Sequence, residues 1–337
     1  MNLDAANEAA GAPWARRLAW GVWISTAVLV AFGGVITTLR AGMAIDGWWV
    51  LDRGNGDHFL LLYPIDKWFA NSGTFSEHTH RLVGVVVGLL SIGYVVARWI
   101  ERPRNGAKFK LAVAGLLAVC AQGAVGGFRV LENSENLAFL HGALAQLVFA
   151  LLGVNVVLSS REWDQVRQAV EPRANEERAF PSARIAWITA AVVYAQTVLG
   201  AWLRHTGFEL ALALHLVFAA VAVGVVLNLS RTLRRAATIS PVLDRVGRRL
   251  LHLLMLQLSL GLATLVAIVV SGGFKAEVTA LETITATSHV LIGALLLQQA
   301  VAGALWIARL SAAAPAVARH VGLRSEQAPN LTWKAAP

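Results

Sequence analysis

The sequence predicts an all-α integral membrane protein, with eight transmembrane helices arranged as two pseudo-symmetric four-helix bundles and both termini in the cytoplasm. Three observations predict it. Apolar runs of bilayer-crossing length recur eight times, the cations cluster in alternate gaps between them, and a short motif repeats in both halves. Composition agrees: of 337 residues 56% are hydrophobic and 15% charged, with mean hydropathy +0.58, whereas a soluble domain carries about 25% charged residues. That balance excludes a water-soluble enzyme and a disordered chain. The net charge of +9 lies in the gaps between apolar runs, which is how membrane topology is written, so no nucleic-acid partner is expected. The single cysteine, Cys120, allows neither an internal disulfide framework nor a Cys₄ metal site.

The runs fall at about 18–38, 82–100, 109–128, 137–159, 184–203, 209–230, 250–271 and 285–308, each near the roughly 20 residues a crossing helix needs. None alternates with the period of a barrel strand. The first is too long for a signal-peptide core and lacks a clear small-residue cleavage site, so it is expected to remain in the mature protein. Of the 29 Lys and Arg residues, 22 lie in the N-terminal tail and the segments after helices 2, 4, 6 and 8. The positive-inside rule therefore places both termini in the cytoplasm of a multi-pass protein of the cell inner membrane. The long outer segment, about 40–79, carries Trp48, Trp49, Tyr63 and Trp68 and is expected to lie along the headgroup region. The organisation expected is an N-terminal half over 1–160, a cytoplasmic linker over 161–183, a C-terminal half over 184–310 and a cytoplasmic tail over 311–337.

The repeat places histidines. Gln-x-x-x-Gly occurs at Gln122/Gly126, Gln196/Gly200 and Gln257/Gly261. His141 and His215 each follow their glutamine by 19 residues, and His289 follows the third across a longer loop. With His80, this puts one histidine in the first turns of helices 2, 4, 6 and 8, at their outer ends. Ionisable groups within a bilayer are costly and usually functional. Zinc takes three or four N, S or O ligands, and only Glu77 is placed to join the imidazoles. Haem asks for one or two axial histidines, an apolar slot and cations at its propionates, and an antiparallel bundle supplies the slot. Arg40, Arg81, Arg129, Arg204 and Lys275 lie near the outer helix ends, where they could meet propionates or serve topology and headgroup contact alone. His58, His205, His252 and His320 have no partner in the repeat and are expected to be interfacial or exposed.

Glu77 and His80 are three residues apart and share a helix face, whereas His78 points about 160° from His80. Glu77 either caps helix 2 or stands beside one haem edge, taking protons or stabilising positive charge. The matching position in the second half is Leu212. Two sites with one carboxylate suggest that one reacts and the other transfers electrons. Three functions fit these residues: an oxidoreductase acting on haem, a diheme membrane electron-transfer protein, and a non-catalytic haem-carrying assembly factor or transporter.

The strings "GGVITTLRAGMAIDGWW", "EHTHRLVG", "AQGAVGGFRV", "QTVLGAWLRHTG" and "SHVLIGALLL", in this order across about 15–308, resemble the haem A synthase family, membrane enzymes required for assembly of haem A-containing terminal oxidases. The resemblance implies oxidation of the C8 methyl group of haem O to the formyl group of haem A. It implies haem b as cofactor in the C-terminal half, ligated by His215 and His289 with Arg204 nearby. His80 and His141 would face the substrate haem O, with Arg81 and Arg129 beside it and Glu77 catalytic. The four histidines would be axial ligands of haem iron. Implied partners are haem O synthase, the terminal oxidase assembly machinery, membrane lipid and an electron acceptor; an oligomer is compatible with this. Some family members carry a cysteine pair in the first outer loop; this chain has none, so a mechanism needing that pair cannot operate here.

Overall fold

Eight long helices carry the fold: α1 (Pro13–Thr38), α2 (Ser72–Ile100), α3 (Ala107–Leu131), α4 (Glu135–Leu158), α5 (Ala183–Thr206), α6 (Glu209–Arg235), α7 (Pro241–Val270) and α8 (Ala280–His320). The structure is a computed structural model and describes residues 13–101, 106–166, 180–274 and 276–320, with side chains between 14 and 313. Lys275, the side chain of His320, residues 167–179 of the expected linker and the end of the expected tail lie outside the described residues. All eight helices are long and apolar enough to cross a membrane; the chain is a multi-pass membrane protein.

Helix starts differ from the apolar runs where polar residues open a helix. In α2 the Asn71 side chain accepts from the backbone N–H groups of Gly73 and Thr74, both at 2.9 Å, and Thr74 Oγ1 accepts from Asn71 N–H. This capping box starts the helix at Ser72, ten residues before the apolar run. The segment "EHTHRLVG" is therefore helical throughout, Glu77 is no cap, and His80 stands in the third turn rather than the first. The same correction applies to His289, since α8 begins at Ala280. Ser240 caps α7, with Pro241 in the first helical position, where its missing N–H costs nothing. Gly207, at φ 64°, closes α5 in the left-handed region, and α6 opens two residues later.

Along the chain, α1 packs on α2, α2 on α3 and α3 on α4, and α4 returns to α1; α5, α6, α7 and α8 close in the same order. The two sets meet where α1 and α4 pack on α8 and where α4 packs on α5. Val30, Phe149 and Ala294 are buried at that junction, with Trp23 stacked on Phe149. The largest apolar cluster lies among α5–α8, around Leu229, Leu243, Leu250 and Ile307, and a second around Ala19, Tyr94 and Leu152. At the end away from the 39–71 loop, buried Arg98 donates to Ser159 Oγ (2.6 Å) and Tyr94 Oη (3.3 Å) and pairs with Glu101, tying α2 to α4.

The 39–71 loop does not lie loosely along a surface. It folds into a cap. A two-residue hairpin, β1 (Val50–Leu51) against β2 (His58–Phe59), is followed by single helical turns at Leu60–Leu62 and Ile65–Trp68. Ile45, Leu51, Leu60 and Tyr63 form its own small core, against Trp68 and Val85. His78 is buried there between Tyr63 and Trp68, with ring centres 4.9 and 5.0 Å away. The tip is held by Lys67 on Asp52 at 2.8 Å. On α3, the Trp48 indole fills the space a Cβ at Gly127 would need.

Two outcomes are expected. Gly127→Ala unseats Trp48, so trypsin cuts faster after Arg53 at the exposed hairpin tip; an unchanged rate would show that this contact does not hold the cap. Burial first, and then the Asp52 carboxylate, raise the Tyr63 phenol above 10.0. A raised value favours the neutral phenol in the folded cap. Its stabilisation is therefore complete below pH about 10 and is lost as pH climbs through the raised value. Tyr63→Phe should remove that alkaline loosening in the same proteolysis assay.

Candidate functional site

The four repeat histidines meet in two pairs. The rings of His80 (α2) and His141 (α4) have centres 6.4 Å apart at 74°, and those of His215 (α6) and His289 (α8) 6.3 Å apart at 70°. Two imidazoles bound to opposite sides of one metal ion, each at about 2.0–2.1 Å, would put their ring centres about 6.3–6.5 Å apart. Both pairs thus have the spacing of a bis-imidazole ligand set. Among the described residues no group of three or more His, Cys, Asp or Glu side chains converges. A metal ion held by either pair would therefore take its remaining ligands from outside these side chains.

Each ring is housed in the same way. A Cβ built at Gly33, Gly126, Gly200 or Gly261 would meet Cε1 of His80, His141, His215 or His289 at 3.3, 2.7, 3.0 and 2.9 Å respectively. A glycine on the odd-numbered helix therefore makes room for the histidine on the next even-numbered one. Four residues before the glycine stands the ring's second partner. His80 Nδ1 lies 3.1 Å from the Leu29 carbonyl, and His289 Nδ1 lies 3.1 Å from the Gln257 carbonyl. A carbonyl only accepts, so Nδ1 carries the proton and Nε2 keeps the lone pair a metal requires. The Gln122 and Gln196 amides donate to the backbone carbonyls of His141 (2.7 Å) and His215 (2.9 Å) and approach Nδ1 of those rings at 3.1 and 3.2 Å. The Gln257 amide lies 3.2 Å from His289 Nε2.

The fourth repeat, Leu29-x-x-x-Gly33 on α1, is invisible to the Gln-x-x-x-Gly pattern because leucine replaces glutamine. The folded loop also stretches the separation from Leu29 to His80 to 51 residues, against 19 in the second and third hairpins. The glycine is the only signal that survives in the sequence.

Glu77 is fully buried and fully engaged. Oε2 accepts from Ile45 N–H at 3.0 Å, and Oε1 accepts from Arg81 at 2.7 Å with Arg129 at 3.9 Å. Arg81 also donates to the carbonyls of Gly47 (2.8 Å) and Ile45 (3.0 Å). The pair thus fastens the cap to α2, and Arg81 has little left to offer a propionate. Arg204 is spent differently, on Gly34 O (2.9 Å), Thr38 Oγ1 (2.6 Å) and Ala286 O (3.4 Å), clamping α5 to α1 and α8. Arg40 donates to the Phe274 carbonyl. Arg129, lying over Gly42, is the least committed of these cations. His252 is exposed and His58 half-buried. His205 is not in solvent: its half-buried ring lies 6.4 Å from Phe139, and a Cβ at Gly142 would be 3.6 Å from its Nε2. A half-buried His205 at the end of α5 agrees with an interfacial position, with the added contact to Phe139 of α4.

Eight helices long and apolar enough to cross a membrane, holding two half-buried imidazole pairs, define a multi-pass helical protein with a pair of facing histidines in each set of four helices. Residues 55–213 match the family described as cytochrome oxidase assembly protein. The chain is 32% identical over 181 residues to a haem A synthase of Symbiobacterium thermophilum, with 49% of this chain and 55% of that one covered. It is 29% identical over 137 residues to one of a Chelativorans species (40% and 37% covered) and 25% identical over 210 residues to one of Erythrobacter litoralis (55% and 61%). The chain spans about half the length of these relatives. No solved structure matches. The relatives matched are haem A synthases, and the family matched is that of a cytochrome oxidase assembly protein.

Breaking a buried ion pair from one side costs about 3–5 kcal/mol. Glu77→Ala should therefore lower the thermal midpoint sharply and Glu77→Ala/Arg81→Ala should recover part of the loss. A double variant as damaged as the sum of the singles would show that the two residues are not coupled.

Proposed function

We propose that this protein is a haem A synthase of the cell inner membrane, oxidising the C8 methyl group of haem O to the formyl group of haem A for terminal oxidases. The reading rests above all on the two imidazole pairs, each spaced for one axially ligated iron. In it the chain forms two pseudo-symmetric four-helix halves, 1–160 and 184–310, with both termini and the 161–183 and 311–337 segments in the cytoplasm. His215 and His289 hold haem b in the C-terminal half, and His80 and His141 receive haem O in the N-terminal half. Bound haem supplies one-electron redox chemistry. Haem O synthase delivers the substrate, and the oxidase assembly machinery takes the product.

The chain's own residues do the rest. The Leu29 and Gln257 carbonyls accept from Nδ1 of His80 and His289, which leaves the Nε2 lone pair for iron once the Gln257 amide moves off His289 Nε2. The folded cap closes the loop end of the N-terminal site and limits water there. Glu77 accepts hydrogen bonds at both oxygens, which suits stabilising positive charge as the substrate is oxidised better than taking a proton. Arg129 is the propionate partner favoured by its free donors. Arg81 and Arg204 act by holding the cap and the helices in place.

The test is pigment extraction from membranes that express this chain together with a haem O synthase. Haem A is expected with the wild-type chain and is lost in His80→Ala and His141→Ala. His215→Ala and His289→Ala should each strip haem b. Two unchanged haems b and no haem A, in the presence of haem O, would instead make this an electron-transfer protein.

A further inference from the structure

Aromatic residues of the 39–71 loop that suit a headgroup belt are turned inward: Trp48 fills the space beside Gly127, and Tyr63 and Trp68 enclose His78. The cap leaves a different set bare. Leu61, Leu62, Ile65 and Phe69 are 55%, 77%, 73% and 60% exposed, comparable with Leu89 at 64% within the crossing length of α2. Large apolar side chains left open together mark a surface that meets a partner or a membrane.

The attachment of the cap says which. On α2, Phe75, Thr79, Val86 and Leu89 fall within about 40° of one line at 100° per residue. Val86 and Leu89 are exposed in the crossing segment, so that line is a lipid-facing stripe. Trp68 hangs the cap on its loop end: Nε1 donates to Thr79 Oγ1 (3.1 Å) and to the Phe75 carbonyl (3.4 Å). The Phe69 and Phe75 rings have centres 5.3 Å apart, and Phe75 lies 6.4 Å from Phe32 of α1. Phe32 itself borders an apolar groove with Ile24, Val28 and Leu295. Thr79 precedes the apolar run at about 82 by three residues, or about 4.5 Å along the helix. The Ile65–Trp68 turn therefore sits at the edge of the hydrocarbon, on its lipid side. Charge is sorted to match: Lys67 is drawn off to Asp52 (2.8 Å), at the hairpin tip that also carries exposed Arg53 and Asp57.

We propose that the cap is seated in the adjoining leaflet of the bilayer, with Leu61, Leu62, Ile65 and Phe69 dipping into the boundary between headgroups and acyl chains and the 52–57 tip in water. Exposed Asp66 on the same turn keeps the seating shallow, as for an interfacial amphipathic segment. The cap then has two supports, the Glu77–Arg81 pair on α2 and lipid beneath its ridge. This seating does not depend on what the histidine pairs bind.

The test uses the full-length protein with Cys120→Ser, reconstituted in vesicles of phosphatidylethanolamine and phosphatidylglycerol. A single cysteine is placed by Leu62→Cys, by Ile65→Cys or, as the aqueous reference, by Asn55→Cys, and carries an environment-sensitive fluorophore. The labels at 62 and 65 are expected to emit to the blue of the label at 55. Lipid spin-labelled high on the acyl chain should quench them more than lipid spin-labelled at the chain end, and the label at 55 should be quenched by neither. Water-like emission at both 62 and 65 would overturn the proposal. Blue-shifted emission that neither lipid quenches would also overturn it, and would make the ridge a contact with protein, a second copy included. Ile65→Ser together with Phe69→Ser should speed tryptic cleavage after Arg53 in the vesicles about tenfold, from the apolar burial lost. An unchanged rate would show that lipid does not hold the cap.

Discussion

An imidazole between apolar helices is tolerated only if its N–H finds an acceptor and its ring finds room, and everything at the loop end of this bundle follows from meeting both conditions four times. A buried donor left without a partner costs about 1–3 kcal/mol, and four such losses would rival the whole stability of an ordinary domain. The structure meets the conditions with one local device. The odd helix contributes a glycine, so the ring can occupy the space of a missing Cβ, and one turn earlier it contributes the group that contacts the histidine. Because the device belongs to a pair of adjacent helices, repeating it in consecutive hairpins brings two rings together, edge to face, at 6.4 and 6.3 Å.

This explains what could be read from the residues alone. Gln122/Gly126/His141 and Gln196/Gly200/His215 are legible because short loops fix their spacing, and the crossing helices are legible because hydropathy sets a length. Leu29 and Gly33 are not, because the decisive contact of Leu29 is made by its backbone carbonyl, which every residue carries. Helix starts at Ser72 and Pro241 were hidden for a related reason: caps and tertiary cover, not apolarity, decide where a helix begins. The cap over α2 was hidden most completely. Its core is four side chains, and its anchors are the carbonyls of Ile45 and Gly47 and the N–H of Ile45.

Glu77 shows how such anchoring changes the meaning of a residue. From its spacing to His80 alone, a carboxylate beside a haem edge reads as a proton acceptor. With Arg81 at 2.7 Å and a backbone N–H at 3.0 Å, the same carboxylate is a held negative charge whose desolvation is offset by its partners. Its electrostatic effect persists in that setting, and its availability as a base is reduced. The ion pair also joins cap and helix, so the carboxylate three residues before His80 and the cap form one unit.

The near-identity of the two imidazole pairs carries the last step of the argument. Equal ring separations, similar ring angles and a glycine behind every ring give no ground for different chemistry at the two pairs. Any division of labour must then come from what differs around them, and the described residues supply three such differences. One pair lies at the folded-cap end of the α1–α2 hairpin and the other near the short 271–279 connection; one has a buried carboxylate three residues before His80, where the other has Leu212 before His215; one has leucine where the other three seats have glutamine. All three differences fall on the α1–α2 hairpin. For the division of labour proposed above, a repeated scaffold modified in a single hairpin is the simplest physical route.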